Sequence, residues 1–170
     1  MVKLLPNPIE KLSNLMTLDL LNSKIQELPV RIVKLKKLRH LFAEKVSDPT
    51  LPDFRYRTGV CIHSGLEKLR DLQTLQALQV RDEGCVRRLG ELRQMRSIRI
   101  WGVKGSYFKG LSESLRQMEF LSHLSINASG EEEILQLDLD GLNWLPPNLQ
   151  RLSLGGRLAQ RTRCHSYLGG

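Results

Sequence analysis

The sequence predicts an α/β solenoid: coils stacked into a horseshoe arc, with a parallel β-sheet on the concave face and short helices or irregular segments on the convex face. Three observations point there. A leucine pattern recurs along the chain, and within each copy the leucines fall first three apart and then two apart. Aromatic residues make up only 5% of the 170 residues, so aliphatic side chains must fill the interior. An interior built mostly from one side chain suits stacked repeats, because identical layers call for identical side chains.

The copies can be laid on one another. Leu5-Pro6, Ile9, Leu12, Leu15, Leu18 and Leu20 open the series, and 23 residues on stand Leu28-Pro29, Ile32, Leu35, Leu38, Leu41 and Ala43, identical at six of the seven positions. Leu66, Leu69, Leu72, Leu75 and Ala77 follow after a longer step of 34, from Leu41 to Leu75. Leu89, Leu92, Met95, Ile98 and Ile100 come 23 later, and Leu115, Met118, Leu121, Leu124 and Ile126 a further 26. Leu145-Pro146, Leu149, Leu152 and Leu154 close the series after 28 more. Six units result, with periods mostly within the roughly 20–29 residues of leucine-rich repeats.

Each spacing has a mechanical reading. Leucines three apart suit a tight turn leading into a strand, and leucines two apart lie on one face of that strand. A lone strand cannot bury its apolar face, so the units must pile up in register, with Leu18, Leu41, Leu75, Ile98, Leu124 and Leu152 side by side. The Ile9/Leu12 side of each unit returns over the convex surface. A helical bundle would need neither the i, i+2 step nor the repeated Leu-Pro, which interrupts helices.

Residues 1–158 are thus read as one repeat domain of about six units, with a loop insertion at 44–65 that carries Pro49 and Pro52. Within the insertion, Phe54, Tyr56, Val60 and Ile62 alternate, as a short added strand or a segment folded over the edge would. A second, shorter loop spans 127–134, where the run Glu131-Glu132-Glu133 is expected to be solvated. Residues 159–170 lose the leucine periodicity and are read as a non-repeat tail, either disordered or an altered C-terminus.

The opening text, Leu5-Pro6-x-x-Ile9-x-x-Leu12-x-x-Leu15-x-x-Leu18-x-Leu20-x-x-Ser23-x-Ile25-x-x-Leu28-Pro29, resembles the leucine-rich-repeat region of plant intracellular immune receptors of the coiled-coil, nucleotide-binding disease-resistance class. Leu38-Arg39-His40-Leu41, Gly65-Leu66-x-Lys68-Leu69-x-x-Leu72-Gln73-Thr74-Leu75, Leu89-Gly90-x-Leu92 and Pro146-Pro147-x-Leu149-Gln150-x-Leu152-x-Leu154 are similar to the same group. The resemblance covers roughly residues 3–158. It implies a protein-recognition module in plant defense, with a pathogen effector, a host target or the receptor's own nucleotide-binding domain as partner. The chain is then a fragment or a truncated product. A general cytosolic repeat scaffold for signalling proteins is the alternative, followed by an extracellular receptor fragment and by a truncated product without function.

Other chemistries find little support. Gly105 and Gly110 have the spacing of a P-loop, but Leu111 stands where its lysine is required. Cys61, Cys85 and Cys164 form no CxxC pair and read as reduced thiols. His40, His63, His123 and His165 lack the neighbours that would complete a metal site or a catalytic dyad, so neither an enzyme nor a cofactor is expected. No stretch reaches the roughly 20 apolar residues of a membrane span. With no signal-peptide pattern at the start, a cytoplasmic location is expected, and Asn127-Ala128-Ser129 is a chance sequon. The formal charge of +8 permits an acidic partner. Its cations alternate with core leucines instead of stacking aromatics, which argues against nucleic acid.

The binding face predicted from this frame is the outward side of the strands. It comprises Thr17, Asp19 and Leu21; His40, Phe42 and Glu44; Thr74, Gln76 and Leu78; Ser97, Arg99 and Trp101; His123, Ser125 and Asn127; and Arg151, Ser153 and Gly155. Phe42, Arg99 and Trp101 are the favoured anchors, because aromatics and arginine dominate interface hot spots. The first unit is expected to expose Leu4, Leu5, Ile9 and Leu12, which would limit solubility of the isolated chain.

Overall fold

A computed structural model describes residues 3–21, 23–46, 57–62, 64–130, 132–135 and 144–158. In chain order the strands are β1 (Thr17–Asp19), β2 (Glu27–Leu28), β3 (His40–Phe42), β4 (Lys45–Val46), β5 (Arg57–Thr58), β6 (Cys61–Ile62) and β7 (Thr74–Gln79). Helix α1 (Glu83–Arg88) precedes β8 (Ser97–Val103), and α2 (Phe108–Arg116) precedes β9 (His123–Ala128). Strands β10 (Ile134–Leu135), β11 (Arg151–Gly155) and β12 (Arg157–Leu158) complete the described part.

The three-residue leucine spacing has a direct backbone cause. In the first coil, Ile9 N donates to Pro6 O, Leu12 N to Ile9 O and Leu15 N to Leu12 O, at 2.9–3.1 Å. The second coil repeats the chain from Pro29 through Ile32 and Leu35 to Leu38. Such i to i−3 bonds define 3₁₀ geometry, with three residues per turn, so every third side chain faces the same way. Pro6 and Pro29 sit extended (φ −64° and −62°) just before the 3₁₀ segments Asn7–Lys11 and Val30–Lys34. There the missing N–H removes no hydrogen bond and the ring pre-sets the backbone.

The two-residue spacing then takes over. Strands β1, β3, β7, β8, β9 and β11 form one parallel sheet in that spatial order. Its register aligns Leu18, Leu41, Leu75, Ile98, Leu124 and Leu152. The four inner members of this row are buried, while Leu18 and Leu152, on the two edge strands, are half-buried. Leu4 and Leu12 are exposed at the first coil as expected, but Ile9 is buried against it.

The convex side changes character along the chain. Among the described residues 3₁₀ turns precede β1, β3 and β7, and α-helix is added before β8 and β9. Asp82 caps α1, its carboxylate accepting from Cys85 N at 2.7 Å, which satisfies a donor otherwise orphaned at a helix start. Helix α2 buries Gly110, Leu111, Ser114 and Leu115, and Ser114 Oγ donates to the α1 carbonyl of Val86 at 2.9 Å. Farther along, the Trp144 ring meets Phe108 edge-on at 5.2 Å.

The long step of 34 is explained by an arm. Strands β4 and β5 pair antiparallel, Lys45 with Thr58 and Val46 with Arg57. Beyond them β6 pairs in parallel with β2, Leu28 opposite Ile62, which is where the coil would have resumed without an insertion. Val60 and Ile62 are buried, whereas Phe54 and Tyr56 lie outside the described residues. The 159–170 tail prediction lies outside them too. Of the acidic run, Glu131 lies outside the described residues and Glu132 is exposed, but Glu133 accepts from Gly105 N at 2.8 Å and Ser129 Oγ at 3.0 Å, and these bonds hold its carboxyl below the usual carboxylate range.

Two outcomes follow for stability. Leu75→Ala, at the buried centre of the sheet, should lower unfolding free energy in a urea titration by about 3–5 kcal/mol, whereas Leu12→Ala, already half exposed, should cost under about 1 kcal/mol. Replacing residues 47–56 with an Asn-Gly turn should leave a cooperatively melting solenoid with unchanged far-ultraviolet dichroism, because β4 and β5 already pair as the two arms of a hairpin and β6 resumes the coil opposite β2.

Candidate functional site

The outward faces of the sheet carry three rows across the coils, and two of them stand as the repeat frame predicts. Thr17, His40, Thr74, Ser97, His123 and Arg151 are aligned in register, and so are Asp19, Phe42, Gln76, Arg99, Ser125 and Ser153. At the centre these side chains are half-buried, and at the edge strands Thr17, Asp19, Arg151 and Ser153 are exposed. Such partial exposure leaves a side chain held by its neighbours yet able to touch a partner.

Several of them are held. His40 Nδ1 lies 3.1 Å from Thr74 Oγ1, and the His40 ring stacks on Phe42 with centroids 6.4 Å apart. His123 Nδ1 lies 2.9 Å from Ser122 Oγ. Asn127 Nδ2 donates to Ile100 O and Ser125 Oγ, both at 3.3 Å. Arg99 donates to Glu44 Oε1 at 2.7 Å, across two strands.

The third row departs from the prediction. Pairing between β7 and β8 passes from Gln76–Arg99 to Leu78–Ile100 and then Gln79–Trp101, so β7 holds one extra residue there. This bulge turns Leu78 into the core, where it is fully buried, and puts Gln79 on the concave side in its place. A second irregularity follows between β8 and β9, after Ile100–Ile126 and before Val103–Ala128. Gly102 supplies it, with φ +77°, a backbone conformation that is strained for any other residue. The Gln79 side chain packs where a Gly102 Cβ would stand. Trp101 is 8% exposed and thus not an open anchor, and its Nε1 has no hydrogen-bond partner among the described residues. Glu44 is likewise buried, at 6% exposure, its carboxylate held by Arg99. Leu21 is exposed in the turn after β1, where its N–H donates to Asp19 Oδ1 at 2.9 Å.

Beside the bulge, the base of the arm is tied down by contacts that sequence gave little sign of. Thr58 Oγ1 donates to Gln79 Oε1 at 2.8 Å. Arg81 reaches Glu27 Oε1 at 2.6 Å and Cys61 Sγ at 2.9 Å. Burial lowers the Lys45 ammonium below the usual lysine range, and the nearby Arg81 cation adds to this. The one readable signal was Leu75-Gln76-Ala77-Leu78-Gln79, in which a leucine-glutamine pair recurs after three residues instead of two.

For nucleophilic or metal chemistry the arrangement offers little. Burial pushes the Cys85 thiol up to about 11, leaving it protonated at neutral pH. Among the described residues no group of three or more His, Cys, Asp or Glu side chains stands close enough to hold a metal ion. His63 lies outside the described residues, as do Cys164 and His165 in the tail. No helix among the described residues is long and apolar enough to cross a membrane.

Comparison with known proteins finds relatives among plant disease resistance proteins. A probable disease resistance protein of Arabidopsis thaliana is 31% identical over 136 residues, covering 80% of this chain and 16% of its own length. A second such Arabidopsis protein is 29% identical, covering 89% of the chain and 16% of its own length. The Arabidopsis disease resistance protein UNI is 32% identical over 55% of the chain and 9% of its own length. The chain therefore spans under a fifth of these relatives. A solved leucine-rich-repeat protein of Leptospira interrogans, 18% identical, superposes with a TM-score of 0.46 over 92% of this chain and 41% of that one. The family described as leucine-rich repeat region matches residues 1–165, and the chain belongs to it.

Proposed function

We propose that the chain is a protein-recognition module of an intracellular plant immune receptor, acting in the cytoplasm as part of a longer polypeptide. The observation that carries this reading is the concave surface itself: two rows of half-buried side chains aligned across the coils, with His40, Phe42, Gln76 and Arg99 at the centre. Side chains already held by stacking and an ion pair lose little freedom on binding, which favours affinity. The relatives carry disease resistance in their names, so the partner class is a pathogen effector, a host target or the receptor's own nucleotide-binding domain.

Phe42 and Arg99 replace Trp101 as the anchors, because burial removes the indole from contact. The test is retention of partners from plant extract by the chain fused to its upstream region. Phe42→Ala with Arg99→Ala should reduce the retained partner by at least about tenfold, as loss of about 2 kcal/mol at a hot spot does. Equal retention by this double variant and the parent would reject the concave face as the site. Trp101→Ala should act on stability, lowering the urea midpoint by the equivalent of about 3 kcal/mol. A variant that melts like the parent yet binds more weakly would return Trp101 to the interface.

A further inference from the structure

We propose that the turns leading into β3, β7 and β8 form a second docking surface, separate from the concave sheet, whose partner is an acidic polypeptide segment. The argument starts from where the charge lies. Residues 36–39, 70–73 and 93–96 contribute six cations, Lys36, Lys37, Arg39, Arg70, Arg93 and Arg96, against one anion, Asp71. These three turns thus hold a net +5 of the chain's formal +8. The concave rows, by contrast, cancel: Asp19 and Glu44 against Arg99 and Arg151.

The repeat makes this patch a stack. Arg70 and Arg93 occupy the same place in successive coils, 23 residues apart, and Lys36 holds it in the coil before, 34 earlier. Adjacent coils in a parallel sheet lie about 5 Å apart, so the cations line up along the edge and repel one another. All six are exposed.

Their bonding sets them apart from the arginines that are held in ion pairs. Arg31 pairs with Glu10, Arg81 with Glu27, Arg87 with Glu83, Arg99 with Glu44 and Arg157 with Glu132. Among the described residues none of the six turn cations has a carboxylate partner. Lys37 Nζ donates to Asn14 Oδ1 at 2.7 Å, Lys36 Nζ to Lys68 O at 3.3 Å, and the Arg96 guanidinium lies 5.7 Å over the Phe120 ring. Arg39, Arg70 and Arg93 make no side-chain bond of their own there, and they line one groove of about 610 Å³. The three guanidiniums outnumber the two carboxylates of this groove, Asp71 and Glu91, and cations stacked without ion-pair partners are what an acidic partner would neutralise.

The groove also says which polyanion fits. Gln73, Gln94, Asp71 and Glu91 line it beside the arginines. A peptide offers carboxylates to the guanidiniums and backbone N–H groups to the carboxylates and amides. A phosphodiester strand would find no stacking platform for its bases, since Phe120 is already under Arg96.

The test uses the full chain and two labelled probes, an oligoglutamate of about a dozen residues and a single-stranded RNA of equal length, titrated by fluorescence anisotropy. Oligoglutamate should bind at low salt and be released near 0.5 M salt, where screening shortens the Debye length to roughly 4 Å. Arg70→Glu with Arg93→Glu should weaken it by about tenfold or more, each reversal replacing an attraction with a repulsion. Lys24→Glu with Lys109→Glu changes net charge equally, at exposed positions outside these turns, and should stay within about twofold. Arg99→Ala should leave oligoglutamate affinity unchanged, so this surface and the concave one fail or stand independently. Any one of four results overturns the proposal: no binding by the parent chain, equal loss with both reversal pairs, loss with Arg99→Ala, or tighter binding of RNA than of oligoglutamate.

Discussion

Five backbone carbonyls, those of Met16, Arg39, Gln73, Arg96 and Ser122, each accept two N–H groups from the next coil, and the rest of the structure hangs from this ladder. The donors are consecutive pairs, such as Arg39 N and His40 N to Met16 O at 2.8 and 3.0 Å, or Gln150 N and Arg151 N to Ser122 O at 2.8 and 2.9 Å. Burial of leucine is favourable but non-directional, so the aliphatic row alone would not choose among neighbouring registers. A slip of one residue would turn every buried strand side chain to the concave face. The doubly accepting carbonyls fix where each strand starts and so decide that Leu41 lies beside Leu75 and not beside Thr74 or Gln76. Each buried leucine then adds about 1.5–3 kcal/mol of burial. Hydrogen bonds supply position, and side chains supply most of the energy.

The coil interior was legible in the sequence because both of its spacings are local. A leucine three residues on reflects a 3₁₀ turn, and a leucine two residues on reflects a strand, so a reader needs only a few residues at a time. The outer face was legible only while that arithmetic held. It held through Gln76 and Arg99, and failed at Leu78 and Trp101, where β7 and β8 each take in an extra residue. At that height Leu78 and not Ala77 faces Ile100, and a leucine fills a core layer that an alanine would leave partly empty. Glu44 escaped for a different reason. Its burial depends on Arg99, 55 residues away in the chain, and no local pattern shows such a pair.

The arm shows how a repeat lengthens without breaking its stack. Because β6 resumes opposite β2, the coil that carries the insertion stays in register on its far side as well as in the main sheet. Arg81 then ties three successive coils together, standing on one, bonding Cys61 on the coil before and Glu27 on the coil before that. Thr58 joins the arm to Gln79, the residue that the bulge brought outward. Bulge and arm therefore belong to one arrangement: the residue displaced by the first is the anchor for the second.

The division of charge between the two faces is a consequence of the same ladder. At the concave face a strand side chain has neighbours on both sides, so a charge there can be matched, as Arg99 is matched by Glu44 two strands away. In the turns before the strands the side chains point into solvent, and like charges at equivalent places are brought into file by the repeat itself. Solvation makes such a file tolerable, yet its field reaches a Debye length, about 8 Å at physiological salt, beyond the surface. The concave rows act only at contact distance, through shape and pre-set hydrogen bonds. A partner meeting both surfaces would be drawn first by the turns and then discriminated by the sheet, so association rate would respond to salt through Arg70 and Arg93, and dissociation rate to substitutions at Phe42 and Arg99.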